Sequence, residues 1–362
     1  MVNVKLENIF KRYRKKEVLH NVTLLAKDNT ITTVFGPPGA GKTTLLRIIA
    51  GLEKPNRGRV LFDDKDVTEL SPQERNVGFV FQTFALYPHM SVYENITSPL
   101  RAKGYSAEEI DKRVKWVAEI LGITDILFKG PAEISGGQRK RVAIARALVK
   151  DANVYLFDEP LTNLDYKIRE AMRGELKKIL RERGGTIIWA TADPQEAIAL
   201  GDNAAVLING TVEAYGSTLD VYNKPRTTMV AKYFSYPPMN LVKGITVSKD
   251  GILMVDMGIA SITIPPESSK LIEKGKEVVV GIRSSDVKLS GEGIKLRGNI
   301  VITEVLGSET LIHVDIAGTR LVVHAPQIFR GEPGSTIDIV INPLRVYIFD
   351  GSTGELLYSP HG

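Results

Sequence analysis

ITTVFGPPGAGKTTLLRIIA, residues 31–50, is the stretch whose reading decides the fold. Ile31 to Phe35 is β-branched and apolar, as a buried strand would be, and the run from Leu45 to Ala50 reads as a helix. Between them GPPGAGKT, residues 36–43, has the pattern G-x-x-x-x-G-K-[ST] in the strand–loop–helix setting it requires. Glycines let backbone N–H groups close around phosphate oxygens, and the helix N-terminus adds positive potential. Gly36, Pro37, Pro38, Gly39, Ala40, Gly41, Lys42, Thr43 and Thr44 are therefore the expected nucleotide-binding residues. Lys42 is placed to reach the β- and γ-phosphates, and Thr43 to ligate Mg²⁺.

A second stretch, VYLFDEP (154–160), is four apolar residues followed by two acids. A continuous apolar run suits a central parallel strand, whose C-terminal end is where such sheets bind ligands. Asp158 is then expected to hold Mg²⁺, and Glu159 to polarise the water that attacks the γ-phosphate.

ISGGQ (134–138) opens the helical run RKRVAIARALV. Ser135 and Gln138 make a capping box. That accounts for neither Gly136 nor Gly137, because glycine in a helix costs up to ~1 kcal/mol relative to alanine. Close approach of an anion to the helix N-terminus would explain both.

The chain has 362 residues, no cysteine and a net charge of +5, with the basic excess in residues 1–235. It is long enough for two or three domains. Disulfides and thiolate metal sites are excluded. No apolar stretch reaches the roughly 18 residues of a membrane span, and the basic N-terminus lacks a signal-type apolar core. The mild positive charge suits a polyanionic ligand or an ordinary solvated surface.

Strand-like runs at 31–35, 77–81, 154–157, 186–190 and 204–208 alternate with helical segments such as 107–121 and 166–183. That pattern predicts a largely parallel sheet covered by helices. From residue 241 short β-rich runs take over (ILMVDM, EVVVGIR, NIVITEV, TLIHVDI, RLVVHA, IDIVI, LRVYIF), as in a small all-β barrel or sandwich. The change falls in the Pro-rich stretch at 235–240.

GPPGAGKT, Gln82 after VGFVF, ISGGQ, VYLFDEP and LTNLD together resemble the ATP-binding subunits of ABC transporters. NVGFVFQTFALYPHMSVYENI, YNKPRTTMVAKYFSYPPMN, GIRSSDV and TEVLGSE are similar to the maltose-type sugar importer ATPases. The resemblance covers essentially the whole chain. It implies an α/β P-loop NTPase cassette over 1–235, with a mostly parallel sheet and a helical subdomain at about 88–150. A linker at 236–240 and a small all-β, OB-like barrel at 241–362 with a regulatory and dimerising role would follow.

The resemblance also implies an ATPase that powers import of a sugar or polyol. Two such subunits pair head to tail, as a homodimer or heterodimer, so that Ser135, Gly136, Gly137 and Gln138 grip the γ-phosphate held by the partner chain. Gln82 would sense Mg²⁺ and the attacking water, Asp165 would cross the dimer interface, and Tyr13 would stack on adenine. The implied partners are integral membrane permease subunits and, indirectly, an extracytoplasmic solute-binding protein; nucleic acid is not among them. The implied location is the cytoplasmic face of the membrane.

One position departs from the family. TIIWATADP (186–194) carries Ala192, where the resemblance implies a histidine that contacts the γ-phosphate. A methyl group can neither donate a hydrogen bond nor carry charge. Either another group does that work, or the site hydrolyses slowly, as a regulatory subunit or as the weaker half of a heterodimer.

Overall fold

A computed structural model describes residues 2–162, 164, 166–264 and 272–361. They form two compact units, residues 1–218 and 219–362.

The first unit is built on a six-stranded sheet in the order Thr211–Ser217, Asn203–Ile208, Ile31–Phe35, Thr186–Thr191, Val154–Asp158, Gly78–Val80. The Thr211–Ser217 edge strand is antiparallel, and the other pairings are parallel. Ile31–Phe35, Val154–Asp158 and Thr186–Thr191 are buried at every residue, as their unbroken apolar runs require. A second sheet, antiparallel, joins Val4–Tyr13, Lys16–Ala26, Arg57–Phe62 and Lys65–Asp66. The sequence reading did not anticipate it. Its apolar residues Val4, Leu6, Val22 and Val60 share a core with Leu45, Ile48 and Ile49 of the helix Lys42–Ala50.

Within residues 88–150 lie the helices Val92–Ala102, Ala107–Ile120 and Gly136–Leu148. Ser91, Ser106 and Ser135 cap their N-termini. Ile96, Val114, Val117, Val142 and Ile144 bury their facing sides in one core with Phe157 and Trp189 of the sheet.

In the second unit a six-stranded and a five-stranded antiparallel sheet share one core of Val242, Val280, Ile282, Ile300, Ile312, Ile339 and Ile341. Together they make a small OB-like barrel. Ile337 and Ile339 point inward while Thr336 and Asp338 point out, the alternation expected of a half-buried strand. The helix Thr228–Tyr233 belongs to this unit: its Ala231 packs with Met239, Tyr347 and Phe349. The buried Arg283 guanidinium lies 3.6 Å from the Tyr222 ring and donates to the Tyr347 hydroxyl at 3.1 Å. Residues 219–235 pack within the second compact unit.

Candidate nucleotide site

The phosphate loop leaves the central strand at Phe35 and enters the helix Lys42–Ala50. Two of its glycines are demanded by the chain's own packing. A Cβ on Gly36 would come within 2.1 Å of the Leu207 carbonyl oxygen. Gly41 caps the helix at φ +106°, in the left-handed region, and a Cβ there would meet Leu19 at 2.7 Å. The helix has no side-chain cap, so its first amides are offered to the loop concavity.

Lys42 is 4% exposed. Its Nζ donates to Gly36 O at 2.7 Å and Pro37 O at 3.2 Å, and lies 3.2 Å from Glu159 Oε1. Gln82 Nε2 donates to the other oxygen of Glu159 at 3.0 Å. Thr43 Oγ1 donates to Asp158 Oδ1 at 3.0 Å. Five side chains from three separate segments therefore converge at the C-terminal edge of the sheet, where an open α/β sheet places its ligands. Burial pushes the Asp158 carboxyl above the usual range; the Thr43 hydrogen bond opposes this and the Glu159 charge reinforces it.

Glu159 has φ +46°, a left-handed backbone that a non-glycine residue adopts at a cost of roughly 1–2 kcal/mol. Its N–H donates to Ala190 O at 3.0 Å, which holds the turn. Non-glycine strain of this kind concentrates at functional positions.

Ala192 follows the strand Thr186–Thr191 directly. The Gly36 N–H donates to Thr191 O at 3.2 Å, so position 192 sits beside both the phosphate loop and Glu159. Asp193 caps the helix Pro194–Leu200 and pairs with Arg169 at 3.1 Å. The histidine contacts lie elsewhere: His20 with Glu17, His89 with Tyr87, His313 with Glu304, His324 with Glu309, and His361 with Tyr347.

Ser135 and Gln138 form the expected capping box, with Ser135 N donating to Gln138 Oε1 at 2.9 Å and Gln138 N to Ser135 Oγ at 3.2 Å. Gly136 and Gly137 differ from the phosphate-loop glycines. A Cβ on Gly136 would meet its nearest atom at 4.0 Å and one on Gly137 at 3.7 Å, both comfortable distances. Nothing among the described residues requires glycine there. Tyr13, half-exposed at the end of Val4–Tyr13, donates its hydroxyl to Glu53, and Lys11 Nζ lies 4.9 Å from its ring centroid. Asp165 lies outside the described residues.

Residues 19–162 match the ABC transporter family, 237–287 the MalK OB fold domain, and 280–349 the TOBE domain. Over 99% of its length the chain is 40% identical to a trehalose/maltose import ATP-binding protein of Thermococcus litoralis, all of which is covered. The chain belongs to the ATP-binding subunits of ABC importers. An ABC import subunit of this kind is an ATPase coupled to transport, and it implies a paired cassette and membrane-embedded partners. It is also 37% identical to an sn-glycerol-3-phosphate import ATP-binding protein of Rhizobium johnstonii, covering 99% of this chain and 97% of that one. A solved dimeric cassette, MJ0796 bound to ADP and Pi, matches with a TM-score of 0.55 and 35% identity, covering 59% of this chain and 98% of that structure's chain. No helix among the described residues is long and apolar enough to cross a membrane.

The sequence reading missed the side chains that hold the Gln82 loop. Arg146 donates to Phe84 O and Ala85 O, and Lys140 Nζ stands 5.5 Å from the Phe84 ring centroid. Lys140 lies in the basic run Arg139-Lys140-Arg141 and Arg146 stands alone between Ala145 and Ala147, and basic residues on a helix usually read as a solvated face.

Proposed function

We propose that this import subunit hydrolyses Mg-ATP between two head-to-tail chains at the cytoplasmic face of the membrane and so energises uptake of a sugar or polyol through separate permeases. The solute class follows the named cargoes of the relatives; no residue of an ATPase subunit touches the cargo. An extracytoplasmic solute-binding protein takes part indirectly, by delivering the solute to the permeases.

The observation that carries the reading is the convergence of Lys42, Gln82 and Glu159 beside Thr43 and Asp158. Lys42 supplies the positive charge that holds the terminal phosphates. Glu159, with one oxygen on Gln82, orients and polarises the attacking water. The Thr43 hydroxyl and the buried Asp158 carboxylate are hard oxygen donors 3.0 Å apart, a pair suited to Mg²⁺, which would neutralise phosphate charge there. Gly136 and Gly137, under no steric need among the described residues, fit close approach of a nucleotide bound to a second chain. Ser135 and Gln138 flank that approach, Tyr13 offers an aromatic face for adenine, and Asp165 is assigned to the chain–chain contact.

Nucleotide binding and phosphate release by Lys42→Ala test this. Loss of binding or of turnover is expected; both unchanged would overturn the assignment.

A further inference from the structure

The helix Gly136–Leu148 reaches the site in its own chain through the loop after Gln82. Phe84 and Ala85 are consecutive non-glycine residues with left-handed backbone, at φ +64° and +48°. Local bonds shape this turn, with Phe84 N donating to Phe81 O at 3.1 Å and Ala85 N to Thr83 O at 2.7 Å. They do not remove the steric cost of two successive left-handed L-residues.

Arg146 meets that cost from outside the loop. One guanidinium nitrogen donates to Ala85 O at 2.7 Å and another to Phe84 O at 3.0 Å. The same guanidinium stacks 5.5 Å from the Tyr87 ring centroid. Among the described residues its charge is met by two carbonyls and a ring, with no carboxylate opposite. A planar fork presents two N–H donors in fixed geometry to the two adjacent carbonyl oxygens, so both bonds are held by one rigid group. On the same helix, the buried Lys140 Nζ has no hydrogen-bond partner among the described residues and faces the Phe84 ring.

We infer that Arg146 is a positioning residue for hydrolysis: it holds Phe84 and Ala85 in left-handed backbone and thereby keeps Gln82 on Glu159. The contacts are continuous. Arg146 grips Phe84 and Ala85, Gln82 lies two residues before Phe84, and Gln82 Nε2 is 3.0 Å from Glu159 Oε2. The inference rests on the reading of Glu159 as the group that acts on water. It goes further by tying that carboxylate to the helix that begins Ser135-Gly136-Gly137-Gln138, so the γ-phosphate grip offered to a partner and the chain's own carboxylate are mechanically linked.

The test uses the full chain with Mg-ATP and reads turnover, KM for ATP and amide exchange over residues 80–90. Arg146→Met should lower kcat at least about tenfold and leave KM within about twofold, because the loss falls on the transition state. Exchange should quicken over 82–90 and stay unchanged over 31–50. Asparagine tolerates left-handed backbone, so adding Ala85→Asn to Arg146→Met should recover at least about threefold of the lost rate. Adding Arg146→Met to Glu159→Gln should change the residual rate by less than about twofold, since both act through one group. Wild-type kcat in Arg146→Met, unchanged exchange over 82–90, or a full further loss on top of Glu159→Gln would each overturn the inference. If Arg146→Met does not fold, Arg146→Lys replaces it: the charge remains but the fork is lost, and unchanged exchange over 82–90 overturns the idea. Wild-type turnover in Glu159→Gln would instead remove the reading of Glu159 and would leave the exchange result to judge Arg146 by itself.

Discussion

Thr43 donates its hydroxyl to the buried Asp158 carboxylate across 3.0 Å, which joins the phosphate loop to the end of a central strand. Burial raises the Asp158 pKa above its unfolded value. Between the ordinary carboxylate pKa and the raised one, the folded chain binds more protons than the unfolded chain. Stability from this group therefore falls as pH rises through that window, and the ionised acid is a net cost at neutral pH. Asp158→Asn should melt at a higher temperature than wild type at pH 7, with the gap closing below pH 4. Its hydrolysis should drop on the order of 10²-fold or more. Thermal melts at the two pH values and a phosphate-release assay check both halves; equal melting at pH 7 would contradict the burial argument.

Glu159→Gln keeps the shape and the hydrogen bond with Gln82 but removes the charge 3.2 Å from Lys42. ATP should still bind, turnover should fall on the order of 10²–10⁴-fold, and ATP-bound dimer should accumulate. Light scattering with and without Mg-ATP measures the dimer. Turnover at the wild-type rate would move the catalytic role to another group.

At position 192 the expected gain is in turnover. A histidine there would stand beside the Gly36 and Glu159 turns, which are held by the carbonyls of Thr191 and Ala190. Ala192→His should raise turnover at least about tenfold and leave ATP affinity nearly unchanged, because the restored contact acts on the transition state. A flat or lower rate would mean that the site works around the methyl group. In a heterodimer, a neighbouring subunit that carries the histidine should raise turnover steeply, and Ser135→Arg in this chain should abolish the gain.

The second unit has its own core and should fold and act as a separate part. Ending the chain at Thr218 should leave ATP binding intact and weaken dimerisation in the absence of nucleotide. Sedimentation of both forms at matched concentrations decides this, and equal dimerisation would assign the barrel another purpose.

Much of the site could be read without coordinates because its parts are local. GPPGAGKT is one turn, ISGGQ one helix start, and DEP one strand end, each with chemistry set by neighbours within a few residues. The ladder from Ile31–Phe35 to Asn203–Ile208 was legible for the same reason, since buried parallel strands are unbroken apolar runs. The edge sheet of Val4–Tyr13 and Lys16–Ala26 was not. It mixes buried and exposed residues, and bulges break its alternation.

Residue types and their local spacing thus determined the phosphate loop, the acids at the strand end and the change to β structure near residue 240, and the family resemblance marked Ala192 as a departure. Only the tertiary structure decided which of these meet. Gln82 reaches Glu159, 77 residues away, because sheet order sets Gly78–Val80 beside Val154–Asp158. Sheet order depends on long-range pairing, which no short window of sequence contains. The left-handed backbone at Phe84, Ala85 and Glu159 was equally hidden. Nothing in those side chains favours it; Arg146 and the Ala190 carbonyl hold it from elsewhere in the chain.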